Sequence, residues 1–224
     1  RASAGKAFKL PEMWELYSSN TRGASNFWGN PNLSPEKLTA IDFGIDHYFG
    51  KAGHIKATVY QNKARDFIYS VARNATNFDK VNVGGVRTKG VELEAAYKLA
   101  EAIALTAAYT WNDSVVTRHD RDATLVGKQL IYVPKHQASL RAEFVLPRAS
   151  TLFVAANYVG SRFADDRNTS TYDKYRTYDL GLSHRFTPGL SGRLTVVNVT
   201  DKAYAGIGYL APGRLVSVGL DARF

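Results

Sequence analysis

From Lys37 onward the chain alternates apolar and polar residues in runs of about nine to twelve, the period-2 signature of strands with two unlike faces. Val91, Leu93, Ala95, Tyr97 and Leu99 oppose Glu92, Glu94, Ala96 and Lys98. The next run sets Ile103, Leu105, Ala107, Tyr109 and Trp111 against Ala104, Thr106, Ala108, Thr110 and Asn112. Runs centred on Leu140, Leu182 and Val218 repeat the pattern. Helical spacing is nowhere sustained. Strands of soluble sandwiches average about five or six residues, whereas a tilted strand crossing hydrocarbon needs about nine to eleven. The polar faces carry full charges, which a hydrated lumen accepts and a dry soluble core does not.

The connections alternate in length. Gly50–Gly53, Ala100–Ala102, Pro147–Ser150 and Thr187–Leu190 are tight, while Asp66 to Val86, Asp113 to Gln129, Phe163 to Tyr175 and Thr200 to Gly213 are long and polar. Short periplasmic turns and long outer loops are the habit of outer-membrane barrels. Phe49, Phe144 and Phe186 fall near the short turns and Tyr109, Trp111 and Tyr158 near the long loops, as two interfacial girdles would. Counting back from the end gives about nine strands after Lys37, with Arg1 to Lys9 as the tail of a tenth. The pattern predicts an all-β, antiparallel up-and-down transmembrane β-barrel, either a small closed one or an arc of a larger one.

Composition narrows the chemistry. The chain of 224 residues has no cysteine and one methionine, so neither a disulfide framework nor a thiolate site is available. No apolar run reaches the ~18 residues of a membrane helix. The net charge of +9 would suit nucleic acid, but Lys and Arg are scattered singly rather than gathered on one arm, so no nucleic-acid partner is expected. The sequence opens at Arg1 without an initiator Met or an apolar leader, which suggests a piece of a longer protein.

Several segments, in order, resemble the TonB-dependent outer-membrane receptors. Gly5-Lys6-Ala7-Phe8-Lys9-Leu10-Pro11 followed by Glu15-Leu16-Tyr17 is similar to that family's strand-to-loop segment, and Asn30-Pro31-Asn32-Leu33-Ser34-Pro35-Glu36 to the lead into its following strand. Asp66-Phe67-Ile68, Val81-Asn82-Val83, Lys89-Gly90-Val91-Glu92-Leu93-Glu94, Val133-Pro134-Lys135-His136 and Val197-Asn198-Val199-Thr200-Asp201-Lys202-Ala203-Tyr204 continue the likeness. Pro212-Gly213-Arg214 and a terminal Phe224 close it.

The resemblance implies that residues 1–224 are the C-terminal part of a barrel of about 22 strands, roughly strands 13 to 22, with the N-terminal plug and first strands lying elsewhere. It implies an importer in the bacterial outer membrane for a ferric siderophore, cobalamin, haem or another scarce ligand, driven by the TonB complex acting through the plug. Ser217, Gly219, Ala222 and Phe224 resemble the terminal signal read by the barrel-assembly machinery, Ala222 being the weakest match. If the ligand is anionic, the loop cations Arg118, Arg121, Arg162 and Arg167 and the aromatics Tyr172, Tyr175 and Tyr209 are the candidate binding residues. Arginines on such loops also contact lipopolysaccharide phosphates or simply keep a loop soluble.

No catalytic residue, metal ligand set or cofactor is expected. His47, His54, His119, His136 and His184 are scattered singly. Asp165-Asp166 reads as loop solvation, because neighbouring side chains on an extended segment point opposite ways. Gly84-Gly85-Val86-Arg87-Thr88-Lys89-Gly90 has the wrong order for a phosphate loop and leads into a strand, and Ser183 and His184 alternate sides rather than forming a triad with Asp179. Three rivals make distinct demands. A self-contained porin-like barrel needs Arg1–Leu10 paired with Arg214–Phe224, an outer-membrane enzyme needs Ser, His and acid converging at one rim, and a soluble β-protein needs its apolar faces to meet.

Overall fold

The alternating runs pair in chain order, since a strand with a tight turn at its end meets its neighbour first. The computed structural model describes residues 1–204 and 211–223; Tyr209 and Phe224 lie outside the described residues. The elements are β1 (Ala2–Lys9), a short helix α1 (Met13–Tyr17), β2 (Ser19–Arg22), β3 (Ser25–Trp28), β4 (Glu36–Tyr48), β5 (Gly53–Arg65), β6 (Ile68–Ala72), β7 (Asn77–Asn82) and β8 (Gly85–Ala100). There follow β9 (Ile103–Arg118), β10 (His136–Leu146), β11 (Ser150–Val159), β12 (Arg162–Phe163), β13 (Thr171–Tyr172), β14 (Tyr175–Thr187), β15 (Leu190–Val197) and β16 (Leu215–Ala222). Among the described residues no helix is long and apolar enough to cross a membrane.

Ten of these strands form one antiparallel sheet in the order β1-β4-β5-β8-β9-β10-β11-β14-β15-β16. This is the predicted meander, with Ala2–Lys9 in full as the tenth strand. Within the described residues β1 pairs with β4 and β16 with β15, and no ladder joins the two ends as the small closed barrel would require.

Register separates the two faces. Phe43, Val59, Val91 and Trp111 lie in one cross-strand row, and one residue along, Asp42 pairs with Tyr60 and Tyr60 with Gly90. Among the described residues nothing covers the apolar face: Ile41, Phe43, Ile45 and Val59 are each more than half exposed. A soluble protein would bury such a row, so this face belongs against lipid. The opposite face lines a hollow of about 760 Å³ whose charged walls include Asp42, Asp46, Lys56, Glu92 and Glu94.

Two strands outrun their predicted lengths. β8 and β9 are each 16 residues long, and β9 continues to Arg118 although Asp113 onward reads as loop. The extension sets Val115 and Val116 side by side and so on opposite faces, with polar residues around them, so the contrast between an apolar and a polar face is lost and hydrophobic periodicity does not reveal it. Its ladder continues all the same, with Lys89 opposite Asp113 and Arg87 opposite Val115. Of the hydrophobic side chains buried below 10 % exposure, Leu33, Ile68, Val81, Val83, Val86 and Leu125, all lie at or beyond the long-loop end.

Candidate functional site

At the long-loop end the connections fold into a platform. The first begins with α1, five residues held by reciprocal capping: the Glu12 side chain accepts from the backbone N–H of Glu15, and Glu15 Oε2 accepts from the Glu12 N–H at 3.0 Å. Glu15 is 4 % exposed, with Lys9 Nζ at 3.8 Å and Lys80 Nζ at 3.9 Å. Lys80 lies over the Trp14 ring at 4.5 Å, and burial holds its ammonium below the ordinary lysine range while Glu15 pulls the other way. The first loop is thereby fastened to a lysine of the second.

The fastening continues through backbone. β2 and β3 form a hairpin, β6 and β7 another, and β3 pairs with β7 in parallel, giving a four-stranded sheet drawn from two loops. Phe27 and Phe78 stack across the parallel junction with centroids 5.1 Å apart. Asn82 donates to the Ser34 carbonyl at 2.9 Å and accepts from the Ser34 N–H, while Glu36 accepts from the Ile68 N–H.

The later loops join the same body. The Tyr69 hydroxyl of the second loop donates to Asp166 of the fourth, and burial followed by this carboxylate pushes the phenol far above its ordinary value. Asn168 donates to the Gln129 carbonyl at 3.0 Å and accepts from the Gln129 N–H at 2.7 Å, and the Tyr132 N–H donates to the Phe163 carbonyl at 2.8 Å. Asp165 is more than loop solvation: its carboxylate accepts backbone N–H groups of Arg167, Thr169 and Ser170, and the bonds, Ser170's foremost, hold it below the usual carboxylate range. Beneath the junction a cavity of about 30 Å³ is walled by Tyr69, Val86, His119, Leu125, Gln129 and Asp166. His119 Nδ1 accepts the Asp122 N–H at 2.9 Å, which fixes the ring proton of the neutral form on Nε2.

The structure brings three of the sequence-predicted site residues together and disperses the rest. Arg162 is 7 % exposed, with Tyr172 and Tyr175 within 5.2 and 5.8 Å of its guanidinium carbon. Tyr204 stacks on Tyr175 at 4.1 Å and Tyr132 lies 6.0 Å from Tyr172. Arg118 pairs with Asp120 at 3.1 Å and Asp66 at 3.8 Å, Arg167 with Asp122 at 3.7 Å, and Arg121 is exposed. Ser217, Gly219 and Ala222 lie on exposed β16, the first two opposite Thr195 and Arg193 and the last opposite Leu190.

Sequence reasoning missed the hub formed by Glu15 and Lys80. The available signal was the Glu12-to-Glu15 capping spacing, which lacks the usual Ser or Thr. Among the described residues no three His, Cys, Asp or Glu side chains gather to hold a metal, and His184 pairs with Ser150 at 2.8 Å rather than with Ser183.

Residues 1–200 match the family model described as TonB dependent receptor-like, beta-barrel. Across its whole length the chain is 23% identical to the iron-regulated outer membrane virulence protein of Vibrio cholerae, covering 37% of that protein. Over 55% of the chain it is 33% identical to the ferrioxamine B receptor of Salmonella typhimurium, 18% of which is covered. In three dimensions all of it superposes on 36% of the copper transporter OprC, with a TM-score of 0.79 at 22% identity. The chain thus spans little more than a third of the first of these relatives.

Proposed function

The chain belongs to the TonB-dependent receptor β-barrel family, a family of outer-membrane receptors and transporters rather than enzymes, and from that premise we propose that it forms the C-terminal part of an importer's barrel. The observation that carries this reading is the pairing of two features: a polar strand face lining a large hollow, and a rigid loop platform at its outer end. The hollow gives a hydrated path, and the platform gives a surface that recognises a ligand before it enters. The N-terminal plug and the strands that close the barrel complete the path, TonB energy releases the ligand through the plug, and the β16 edge is what the assembly machinery pairs.

The cargo we propose is a ferric siderophore or a similarly scarce metal chelate. Ferrioxamine B and copper, named for the two relatives above, are both metal cargo. In this reading Arg121 and Arg167 meet an anionic chelate directly, which their exposure on the platform supports. Arg162, enclosed by Tyr172 and Tyr175, acts by holding the fourth loop in shape. This chemistry is binding and translocation without covalent change, so no catalytic residue is assigned.

The test is uptake of radiolabelled ferric chelates by iron-starved cells carrying or lacking the full receptor, with and without TonB. Accumulation of one chelate that needs both proteins is expected. Accumulation indifferent to the receptor across ferric siderophores, haem, cobalamin and copper would remove the proposal.

A further inference from the structure

The polar wall of the sheet carries opposite charge at its two flanks. That face can be followed strand by strand: Glu94 lies opposite Ala108, Ala108 opposite Ser139, Ser139 opposite Asn157 and Asn157 opposite Thr177. Thr177 therefore shares the wall of the large hollow with Glu94, and by the alternation of β14 so do Ser183 and Arg185. Ser183 pairs with Arg193, and Arg185 with Ser191 and through it with Asp221, so β15 and β16 continue the same face.

On the flank of β4, β5 and β8 the wall is acidic and tied down. Asp42, Asp46, Glu92 and Glu94 stand there with Arg1 and Lys56. Arg1 bridges Asp46 and Thr58 at 3.2 and 2.7 Å, and Lys56 holds Glu94 at 3.1 Å. Asp42 and Glu92 have no ion-pair partner among the described residues. Midway round the sheet Arg141 and Glu143 cancel one another at 3.2 Å. On the flank of β14, β15 and β16 the balance reverses. A groove of about 360 Å³ beside the short turn at Thr187–Leu190 is lined by Arg185, Arg193 and Arg223, with Asp221 as the one carboxylate among its lining residues. All three arginines are exposed, and no salt bridge reaches them among the described residues.

Three strands, β9, β10 and β11, separate β8 from β14, which sets the two flanks ~19 Å apart along the sheet. This exceeds the Debye length of about 8 Å at physiological salt, so an ion beside one flank is screened from the other. Space agrees with charge. Outward of Arg193 the wall is made by Thr195 and Ser217, and nothing lies within 4 Å of the place a Cβ on the neighbouring Gly219 would take. Resting on the importer reading above, we propose that an anionic metal chelate crosses the lumen along the wall of β14, β15 and β16. Arg185, Arg193 and Arg223 draw it to the periplasmic mouth by charge-assisted hydrogen bonds, and the acidic flank is the side it avoids. The step moves a bound anion from one set of donors to the next and changes no bond within the chelate.

The test uses the full receptor containing this chain in iron-starved cells. Its probes are radioiron complexes of two anionic chelators, a tris-catecholate and citrate, and of a neutral tris-hydroxamate. Surface affinity is read in cells lacking TonB and initial uptake rate in cells with it, both per folded receptor as judged by heat-modifiable gel mobility. In Arg185→Gln/Arg193→Gln/Arg223→Gln the surface affinity for the anionic chelate should hold while its uptake rate falls about fivefold or more, the attraction of three cations being gone. Arg185→Lys/Arg193→Lys/Arg223→Lys keeps the charge and should restore most of the rate. An unchanged rate in the glutamine variant overturns the proposal, and so does an equal loss in the lysine variant, since charge is then not the agent. New sensitivity of the glutamine variant to a large antibiotic would mean that the arginines hold the plug in place, and overturns it too. If the unaltered receptor takes up neither anionic chelate the route falls as well; the importer reading falls separately, only when no chelate of the wider panel enters.

Discussion

Replacing Glu15 with alanine should loosen the platform without unfolding the barrel, because its carboxylate joins two loops and sits outside the ten-stranded sheet. Two losses add. The capping bond from the Glu12 N–H, 3.0 Å long, is worth about 1 kcal/mol. Lys80, whose side chain is 13% exposed, loses its closest carboxylate, at a cost of about 2 kcal/mol, below the range for fully buried pairs because the 3.9 Å separation is long and Glu12 and Glu36 still act on Lys80. The sum, about 3 kcal/mol, corresponds to a roughly hundredfold shift in local opening. Hydrogen exchange by mass spectrometry on the full receptor reads this directly: amides of residues 13–17 and 77–82 should exchange about a hundredfold faster, those of β9 and β10 unchanged. Glu15→Gln keeps an acceptor for the cap and should fall between. Glu15→Met/Lys80→Met removes both charges and should exchange more slowly than Glu15→Ala. Exchange in Glu15→Ala within about twofold of the unaltered receptor, or a double variant looser than the single, would refute the role given to this carboxylate.

Three further outcomes follow from the same structure. Asn198 is 2% exposed, accepts the Lys202 N–H and donates to the Lys202 carbonyl, so Asn198→Ala should cost about 2–3 kcal/mol, read as faster exchange in residues 197–204. Gly84→Ala combines a left-handed backbone with a Cβ 2.2 Å from the Arg118 carbonyl oxygen, and should destabilise the outer ends of β8 and β9 by about 3 kcal/mol or more, seen in chemical denaturation of the receptor in detergent. Asp122 and Asp165 both have depressed carboxyl values, the first through bonds from Thr124 and the second through backbone bonds led by Ser170. A depressed folded value gives stability that is complete above the unfolded aspartate value of about 3.9 and lost as pH falls through the lower folded one. Protection factors in residues 122–126 and 165–170, with the intrinsic pH dependence of amide exchange removed, should therefore fall below about pH 4 and stay flat from pH 5 to 8.

The ten-stranded meander was legible because each of its strands has one face for lipid and one for water, and period 2 records that contrast residue by residue. Where the contrast ends, so does legibility. Above Trp111 one face of β9 packs under the loop platform, with Ser114 buried and Val116 walling the cavity, so the lipid-to-water contrast is lost and the end of its ladder, held by pairing with β8, reads as loop. The helix α1 is five residues long and capped by Glu rather than Ser or Thr, too short for helical periodicity to register. The parallel pairing of β3 with β7 joins residues about fifty positions apart, and nothing local in Ser25–Trp28 announces its partner. Arg162 illustrates the limit for site residues: its type and loop position were readable, but its enclosure by Tyr172 and Tyr175 arises from the folding of the fourth loop upon itself.

The parallel seam between β3 and β7 also determines how this surface looks to an outside observer such as an antibody or a bacteriophage. The patch it presents is discontinuous, with Asn26–Trp28 lying beside Asn77–Asp79, so a linear peptide copied from either loop reproduces half of it and none of its shape. A recogniser raised against the intact receptor would go blind to a chimera in which one loop alone was exchanged. A vaccine antigen cut from this region would have to carry both loops on their strands to display the native epitope.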